Sequence, residues 1–535
     1  MSVKKKFEKI RAFTANGDLN SACTLAQATI KKHPKDISVA LAYAEALLAA
    51  GEHATAASTL ARFTATRDAP VDLYLMRAYA LMQVQQLDEG LQTVIAGLRM
   101  HRDHPELLNH AGVLCAELKR PVDAESWFRR LSKVQPRRSE AFLGLGNALR
   151  EQGESNEALQ AYDAAIAAEP MNPSPQVNRA NLLAEMGEHD TARGAYEDIL
   201  QRFPQRKDVL SNLAASLAAT DDHQGAAKLY GEYLAIHPQD FDAGISMAKA
   251  LLKSGQAATS KSVLENMARA WPDRTEICPE LINACLRSDD EAQARHYQSL
   301  YKEKFPTSAD VYSCDTILDV AAGARDMSRN EASYDADIEP AEIEIPAAYA
   351  SADVFWDDVC TAVYAHPSLR ESPAENATRE GFHSGNLAEE PVAPALQDLI
   401  TAIKKQVDEY AAKRADAGNP YYDGLNLEGS LFRMWAVVMR KGGHQEAHIH
   451  PSSRISGVVY AKVPESIRDS NDRSGWIEFG RPHSDFFEPE NLATRMFQPQ
   501  LGRIVLFPAY LYHRTLPLDG ADHRISIAFD VCTPK

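Results

Sequence analysis

No apolar run in this sequence approaches the roughly 18 residues that a membrane-spanning helix needs, and the basic residues between Met1 and Lys6 have no apolar stretch behind them. The chain is therefore expected to be neither secreted nor membrane-spanning. Clustered Lys and Arg are missing too. The 57 basic side chains face 74 acidic ones, a formal net charge of -17, and the lack of a surface for tracking phosphates argues against a nucleic-acid partner. Cysteine is sparse. Its seven occurrences are odd in number, scattered and without a CxxC pair, so they read as small buried residues in a reducing, cytoplasmic setting.

What is present is ordinary globular composition, 45% hydrophobic and 24% charged, in 535 residues, too many for one core. Modular organisation follows. Pro34, Pro136, Pro170, Pro204, Pro238, Pro272 and Pro306 are separated by 34 residues or multiples of 34. A fixed period of that length marks stacked helix-turn-helix units. In the segment closed by Pro170, Phe142, Leu145, Gly146, Gly153, Ala158, Tyr162 and Ala165 stand where small and aromatic residues let two helices cross closely. Proline then ends each unit, because it cannot continue the hydrogen-bond ladder. This pattern resembles the tetratricopeptide repeat (TPR) family, and the period predicts an all-α solenoid of about nine repeats over residues 1–308.

Such an array works through a concave face built mainly from its first helices, which points to a protein or peptide partner. Asn147 with Asn181, and Asn178 with Asn212, recur there at the repeat period, and Asn178 and Asn181 are one helical turn apart. These four asparagines are candidates for hydrogen-bonding an extended peptide; solvated polar positions are the alternative. Oligomeric state stays open.

After Pro306 the period fails. Residues 309–346, acidic and proline-punctuated, read as a linker or irregular connecting segment, with the two parts expected to separate on cutting near Asp335. The second domain, 347–535, opens with helical stretches at Ala352 to Tyr364 and Pro394 to Ala412. Short strands follow, LFRMWAVVM, a Gly442-Gly443 turn, AHIH, ISGVVYAKV, WIEF, GRIVLF and RISIAFDV, which predict a sandwich or barrel.

His448 and His450, two apart in extended chain, share a face and can share a metal. His513 follows GRIVLF, where a barrel returns a distant strand. Ten residues separate it from Arg524, and Ser526 lies two further on the same strand face, where a guanidinium can grip a carboxylate bidentately. H-x10-R-x-S resembles the second half of the Fe(II)/2-oxoglutarate oxygenase signature. The run His448, His450, Pro451, Ser453, Ser456, Gly457, Val458 and Tyr460 resembles the HxHPxSxxSGVxY pattern of the bacterial and phage family of 2OG-Fe(II) oxygenases. Thr378, Gly381, Ser384 to Leu387, Gly475 to Pro482 and Leu506 to Pro508 extend the resemblance across the domain.

The resemblance implies an α+β domain on a double-stranded β-helix, a jelly-roll or cupin-like barrel. It also implies Fe(II) held by His448, His450 and His513, with 2-oxoglutarate and O2 as cosubstrates. Arg524, helped by Ser526 and Tyr460, would bind 2-oxoglutarate. Three imidazoles replace the superfamily's usual two histidines and a carboxylate. His444 and Glu446 form an alternative HxE pair. A cupin reading competes on the same fold, from Gly442 to His450 and Gly502 to His513, although Arg454 and Ile455 stand where its glutamate belongs. The expected activity is that of a 2-oxoglutarate-dependent dioxygenase, a hydroxylase with a TPR array that recruits its substrate. The alternatives are a TPR scaffold with an inactive β-module and a small-molecule cupin-type dioxygenase.

Overall fold

The structure, a computed structural model, describes residues 2–66, 69–321, 334, 336–371, 377–389, 391–415, 418–468, 472–486, 492, 494–520 and 522–533. The chain divides into two compact units, residues 1–206 and 207–535.

The first unit is all helix: α1 (Val3–Ala15), α2 (Leu19–Lys32), α3 (Ile37–Ala49), α4 (His53–Thr64), α5 (Val71–Gln83), α6 (Leu87–Met100), α7 (Pro105–Glu117), α8 (Pro121–Val134), α9 (Ser139–Glu151), α10 (Ser155–Ala168), α11 (Pro173–Glu185) and α12 (His189–Arg202). They form six pairs. The turn within each pair needs one residue in the left-handed region, and Gly17, Gly51, Gln85, Lys119, Gly153 and Gly187 supply it at 34-residue intervals. Four of these are glycine, which takes positive φ without a Cβ clash. Gln85 and Lys119 adopt φ of 58° and 57° at the steric cost that glycine avoids. Close crossing accounts for the small residues: a Cβ on Gly146 would lie 2.5 Å from the Tyr162 ring, and one on Gly112 would lie 2.6 Å from Phe128.

The second unit opens with three more pairs and a single helix: α13 (Leu210–Ala219), α14 (His223–Leu234), α15 (Phe241–Lys253), α16 (Ala257–Ala270), α17 (Ile277–Leu286), α18 (Glu291–Lys304) and α19 (Ala309–Ala321). Asp221, Gly255 and Asp289 continue the positive-φ series. Nine helix pairs thus stand among the described residues. Segment 309–346, expected to be linker, contains α19 and a strand. Helix α19 is buried on nearly every side, so it carries little amphipathic signal and its sequence does not repeat the 34-residue pattern. Asp335 lies outside the described residues.

Ten strands follow, with two long helices and a four-residue one between them: β1 (Glu339–Glu342), α20 (Ala352–Ala365), β2 (Arg370–Glu371), β3 (Thr378–His383), α21 (Pro394–Arg414), β4 (Leu431–His448), β5 (Ile455–Lys462), α22 (Glu465–Arg468), β6 (Ile477–Phe479), β7 (Arg495–Phe497), β8 (Arg503–Pro508), β9 (His513–Thr515) and β10 (Arg524–Cys532). They make one antiparallel sheet in the order β1-β8-β5-β10-β4-β9-β6-β7, with β3 also on β4 and β2 on β3. Phe355 and Val359 of α20 join Leu399, Ile403 and Tyr410 of α21 in the sheet's core cluster.

Two expectations change here. The sheet is a curled half-barrel rather than a closed one: β6, β7 and β9 are three residues each, and among the described residues the ladder ends at β7 without returning to β1. Gly442-Gly443 is no turn between strands but a bend within the single 18-residue strand β4. Gly442 sits at φ 81°, and a Cβ on Gly443 would meet the carbonyl oxygens of Arg440 and Glu380 at 2.8 Å, so the bend needs glycine. Before it, β4 pairs with β10; beyond it, with β9.

Candidate metal centre

The bend in β4 carries His448 across to β9, where it lies directly opposite His513. His450 stands just past the strand end, its amide donating to the Ala509 carbonyl at 3.0 Å. The ring centroids of His448 and His513 are 4.3 Å apart, and each is 5.1 Å from that of His450. One ligand atom from each of the three falls within 4.8 Å of the others. The cluster can hold a metal ion.

The hydrogen bonds fix which nitrogen each ring offers. Nδ1 of His448 lies 2.7 Å from the Glu446 carbonyl, and Nδ1 of His513 lies 3.0 Å from that of Leu511. A carbonyl only accepts, so Nδ1 carries the proton and Nε2 keeps a bare lone pair. Nδ1 of His450 donates to Oδ2 of Asp530 at 3.0 Å. Nε2 of His450 and Nε2 of His513 then meet at 3.2 Å, both as acceptors, with no proton to share between them. Ligands about 2.1 Å from one ion lie about 3.0 to 3.4 Å apart at octahedral or tetrahedral angles. The donor set therefore fits one metal.

Electrostatics favour neutral ligands. Burial pushes His448 down to about 4, with His450 adding to the effect, and holds His513 well below the ordinary imidazole value. Burial works against ionisation of Asp530 as well, but His450, Ser456 and Ser453 outweigh it, and the carboxyl stays below its usual range. Ser456 donates to Oδ1 of Asp530 at 2.6 Å. Phe507 and Phe479 lie against the His513 ring at 4.7 and 5.9 Å between centroids.

Arg524 begins β10, opposite Met439 on β4. It is 1% exposed. Its Nη1 donates to the Gly475 carbonyl and its Nη2 meets the Met439 sulfur at 2.9 Å, while Nε has no partner. Burial holds its pKa down. Tyr460, also buried and with an unpartnered hydroxyl, lies under this guanidinium at 5.7 Å, and Ser526 pairs across the sheet with Tyr460. A buried cation with a free N–H beside a free phenol suits a carboxylate. Thr515 links the two groups: it follows His513 on β9, and its hydroxyl lies 3.7 Å from the Met439 sulfur.

Residues 433–530 match the family described as "Putative 2OG-Fe(II) oxygenase". Residues 146–187 match one family of TPR repeats, and 7–70, 75–133 and 177–241 match another of tetratricopeptide repeats. The chain joins a TPR array to a domain that matches the 2OG-Fe(II) oxygenase family. No curated protein matches. Similar solved structures include a tetratricopeptide repeat protein from Parabacteroides merdae at 18% identity, covering 46% of this chain and 96% of that one with TM-score 0.38. The TPR protein TTC0263 of Thermus thermophilus matches at 21% identity, covering 34% and 100% with TM-score 0.29. YrrB, titled a TPR protein with an unusual peptide-binding site, matches at 18%, covering 32% and 90% with TM-score 0.29.

In the second unit a cavity of about 400 Å³ opens beside His448 and His450, lined also by Asn386, Arg433, Trp435 and Gln445. Arg524, Ser526 and Tyr460 do not line it. The HxE pair lies apart from the three imidazoles: His444 is half-buried, with Nδ1 at 3.1 Å from the Gly442 carbonyl, and Glu446 pairs with Arg379 at 3.0 Å. In the repeats, Asn147 accepts from Tyr162 and from Asn178, both at 2.9 Å, and Asn181 accepts from Tyr196 at 2.7 Å. Asn147, Asn178 and Asn181 thus tie neighbouring helices together.

Sequence reasoning missed Asp530, although it shares the strand phase of Arg524 and Ser526. It also missed the support behind the histidines. Ile449, Tyr512 and Phe486 pack with Cys278 and Ile282 of α17 and Cys314 and Ile317 of α19. Ile449 lies between two candidate ligands and Tyr512 precedes the third, so the last repeat helices buttress the cluster.

Proposed function

We propose that this protein is a cytoplasmic, non-haem Fe(II)- and 2-oxoglutarate-dependent hydroxylase whose repeats recruit a protein or peptide substrate. The carrying observation is the convergence of three imidazoles, each with Nδ1 anchored and Nε2 free, within 4.8 Å of one another. His448, His450 and His513 hold Fe(II). When bound, the ion supplies activation of O2 driven by oxidation of 2-oxoglutarate. Asp530 orients His450 and returns negative charge to a site whose ligands are neutral. Arg524 takes the distal carboxylate of 2-oxoglutarate, helped by Ser526 and Tyr460, while Phe479 and Phe507 keep water from His513. Residues 347–535 form the catalytic portion and 1–308 the repeats, with Asn147, Asn178, Asn181 and Asn212 contacting the partner.

Metal content of the purified chain, and succinate formed from 2-oxoglutarate with and without cell extract, test this. Absence of both metal and succinate in well-folded protein rejects it. A second reading, an inactive β-module on a TPR scaffold, has one observation in its favour: Met439 and the Gly475 carbonyl already occupy two nitrogens of Arg524. Metal binding without 2-oxoglutarate binding would select it.

A further inference from the structure

The cavity beside the histidines is lined by one acid and one guanidinium that are not paired with each other. Asp530 is the single acid among its lining residues, and it is committed to His450 and Ser456. Arg433 lines the same cavity, opposite Asp530 in the strand register, and no carboxylate pairs with it among the described residues. Glu389, the nearby acid, accepts from Asn386 at 3.3 Å and is not part of the lining. The chain as a whole carries -17, so an unpaired guanidinium at this mouth is against its general trend.

Trp435 lies two residues on, on the same strand face, about 7 Å along β4. Its ring stacks on His383 at 6.1 Å with 21° between planes and stands 5.8 Å from His450. Opposite it on β10 is Ala528, whose small side chain leaves the indole uncovered on that strand. The guanidinium, the indole and the imidazoles thus line one cavity. Asn386, Gln445, Thr378 and Ser384 add polar groups at the rim. A volume of about 400 Å³ admits one side chain with its flanking backbone but no folded surface.

We propose that this cavity takes an acidic side chain of a peptide segment, its carboxylate gripped by Arg433 and its aliphatic stem laid along Trp435 toward His448 and His450. The assignment rests on the oxygenase reading for its purpose, but not for its measurement. A guanidinium pairs bidentately with a carboxylate, and an amide isostere at the same position cannot neutralise it.

The full-length chain is applied to an array of twelve-residue peptides that vary one central position among Asp, Glu, Asn, Gln, Lys and Ala in many flanking contexts. Asp and Glu are expected to bind about tenfold more tightly than Asn and Gln, and Arg433→Gln to erase that preference. Arg433→Glu should invert it toward Lys, provided circular dichroism shows the variant folded; Arg433→Gln alone decides if it is not. Acidic preference that survives in Arg433→Gln overturns the proposal, as does equal binding of Glu and Gln peptides to the parent. Binding of free glutarate with no acidic preference on the array also overturns it and points to a small dicarboxylate. Iron content and succinate formation are read separately, so a failed metal site and a failed substrate assignment give different results.

Discussion

Oδ2 of Asp530 accepts from Nδ1 of His450, and its other oxygen accepts from Ser456 two residues upstream of Val458 in the strand that follows the histidines. One buried carboxylate thus ties β10, β5 and the post-β4 turn to the orientation of a single imidazole. Outer contacts of this kind set ring tautomer and ligand basicity. Asp530→Asn keeps the shape but removes the charge, and the amide can present its NH2 to Nδ1 and favour the wrong tautomer. We expect metal affinity to fall about 10- to 100-fold, measured by competition with a chromophoric chelator. Unchanged affinity would show that Asp530 has only a packing role.

A prediction on the repeats follows from the left-handed positions. Lys119 and Gln85 hold φ near 57° where Gly17, Gly51, Gly153 and Gly187 serve elsewhere in the first unit. Lys119→Gly removes a left-handed penalty of about 1 to 2 kcal/mol and returns part of it as unfolded-chain entropy. A net gain of about 0.5 to 1 kcal/mol is expected in urea titrations. Gly153→Ala should move stability the other way.

Much of this was legible beforehand, for a physical reason. Repeats are local, so Pro136 to Pro306 report the period without any long-range contact, and strand alternation alone puts Arg524 and Ser526 on one face. Asp530 obeys the same alternation but carries no spacing signal of its own. What failed depended on packing from elsewhere. Gly442 and Gly443 look like a turn because glycine serves both turns and bends, and only β9 on the far side of the bend distinguishes them. Helix α19 escaped because burial on nearly every side erases the amphipathic stripe that marks a helix.

Burial lifts the Asp310 carboxyl to about 6, only partly opposed by Thr275, whose hydroxyl donates to it at 2.7 Å. The unfolded value is about 3.9. The folded chain therefore holds this proton more tightly, and the associated stability is complete below the unfolded pKa and lost as pH rises through about 6. At pH 8 the ionised group costs about 2 to 3 kcal/mol. Asp310→Asn should stabilise the protein at pH 8 and have little effect at pH 4, read from urea midpoints. Equal effects at both values would contradict the burial argument.

The last prediction concerns where the oxygenase domain can be cut. Asn283 of α17 and Arg287 just past its end donate to the Asp485 carbonyl at 3.2 and 2.8 Å, and Lys253 of α15 pairs with its carboxylate at 2.8 Å. Tyr312 of α19 packs against Tyr421 and Tyr510 at 5.1 and 5.4 Å. Tyr512, one residue before His513, sits among Cys278, Ile282 and Cys314. A fragment of residues 347–535 lacks all of these partners and would expose the apolar backing of two ligand-bearing segments. We expect it to aggregate or to lose metal binding, whereas residues 207–535 should bind metal like the full chain and retain uncoupled turnover of 2-oxoglutarate. Tyr512→Ala in the full chain should act in the same direction: removing a buried aromatic costs about 3 to 5 kcal/mol, and the slack falls beside His513. Tyr512→Phe keeps the ring and should restore metal affinity, a rescue that distinguishes positioning by packing from any role of the hydroxyl. If 347–535 is soluble and binds metal with the parent's affinity, the helices do not support the centre and the cut belongs at the end of the repeats.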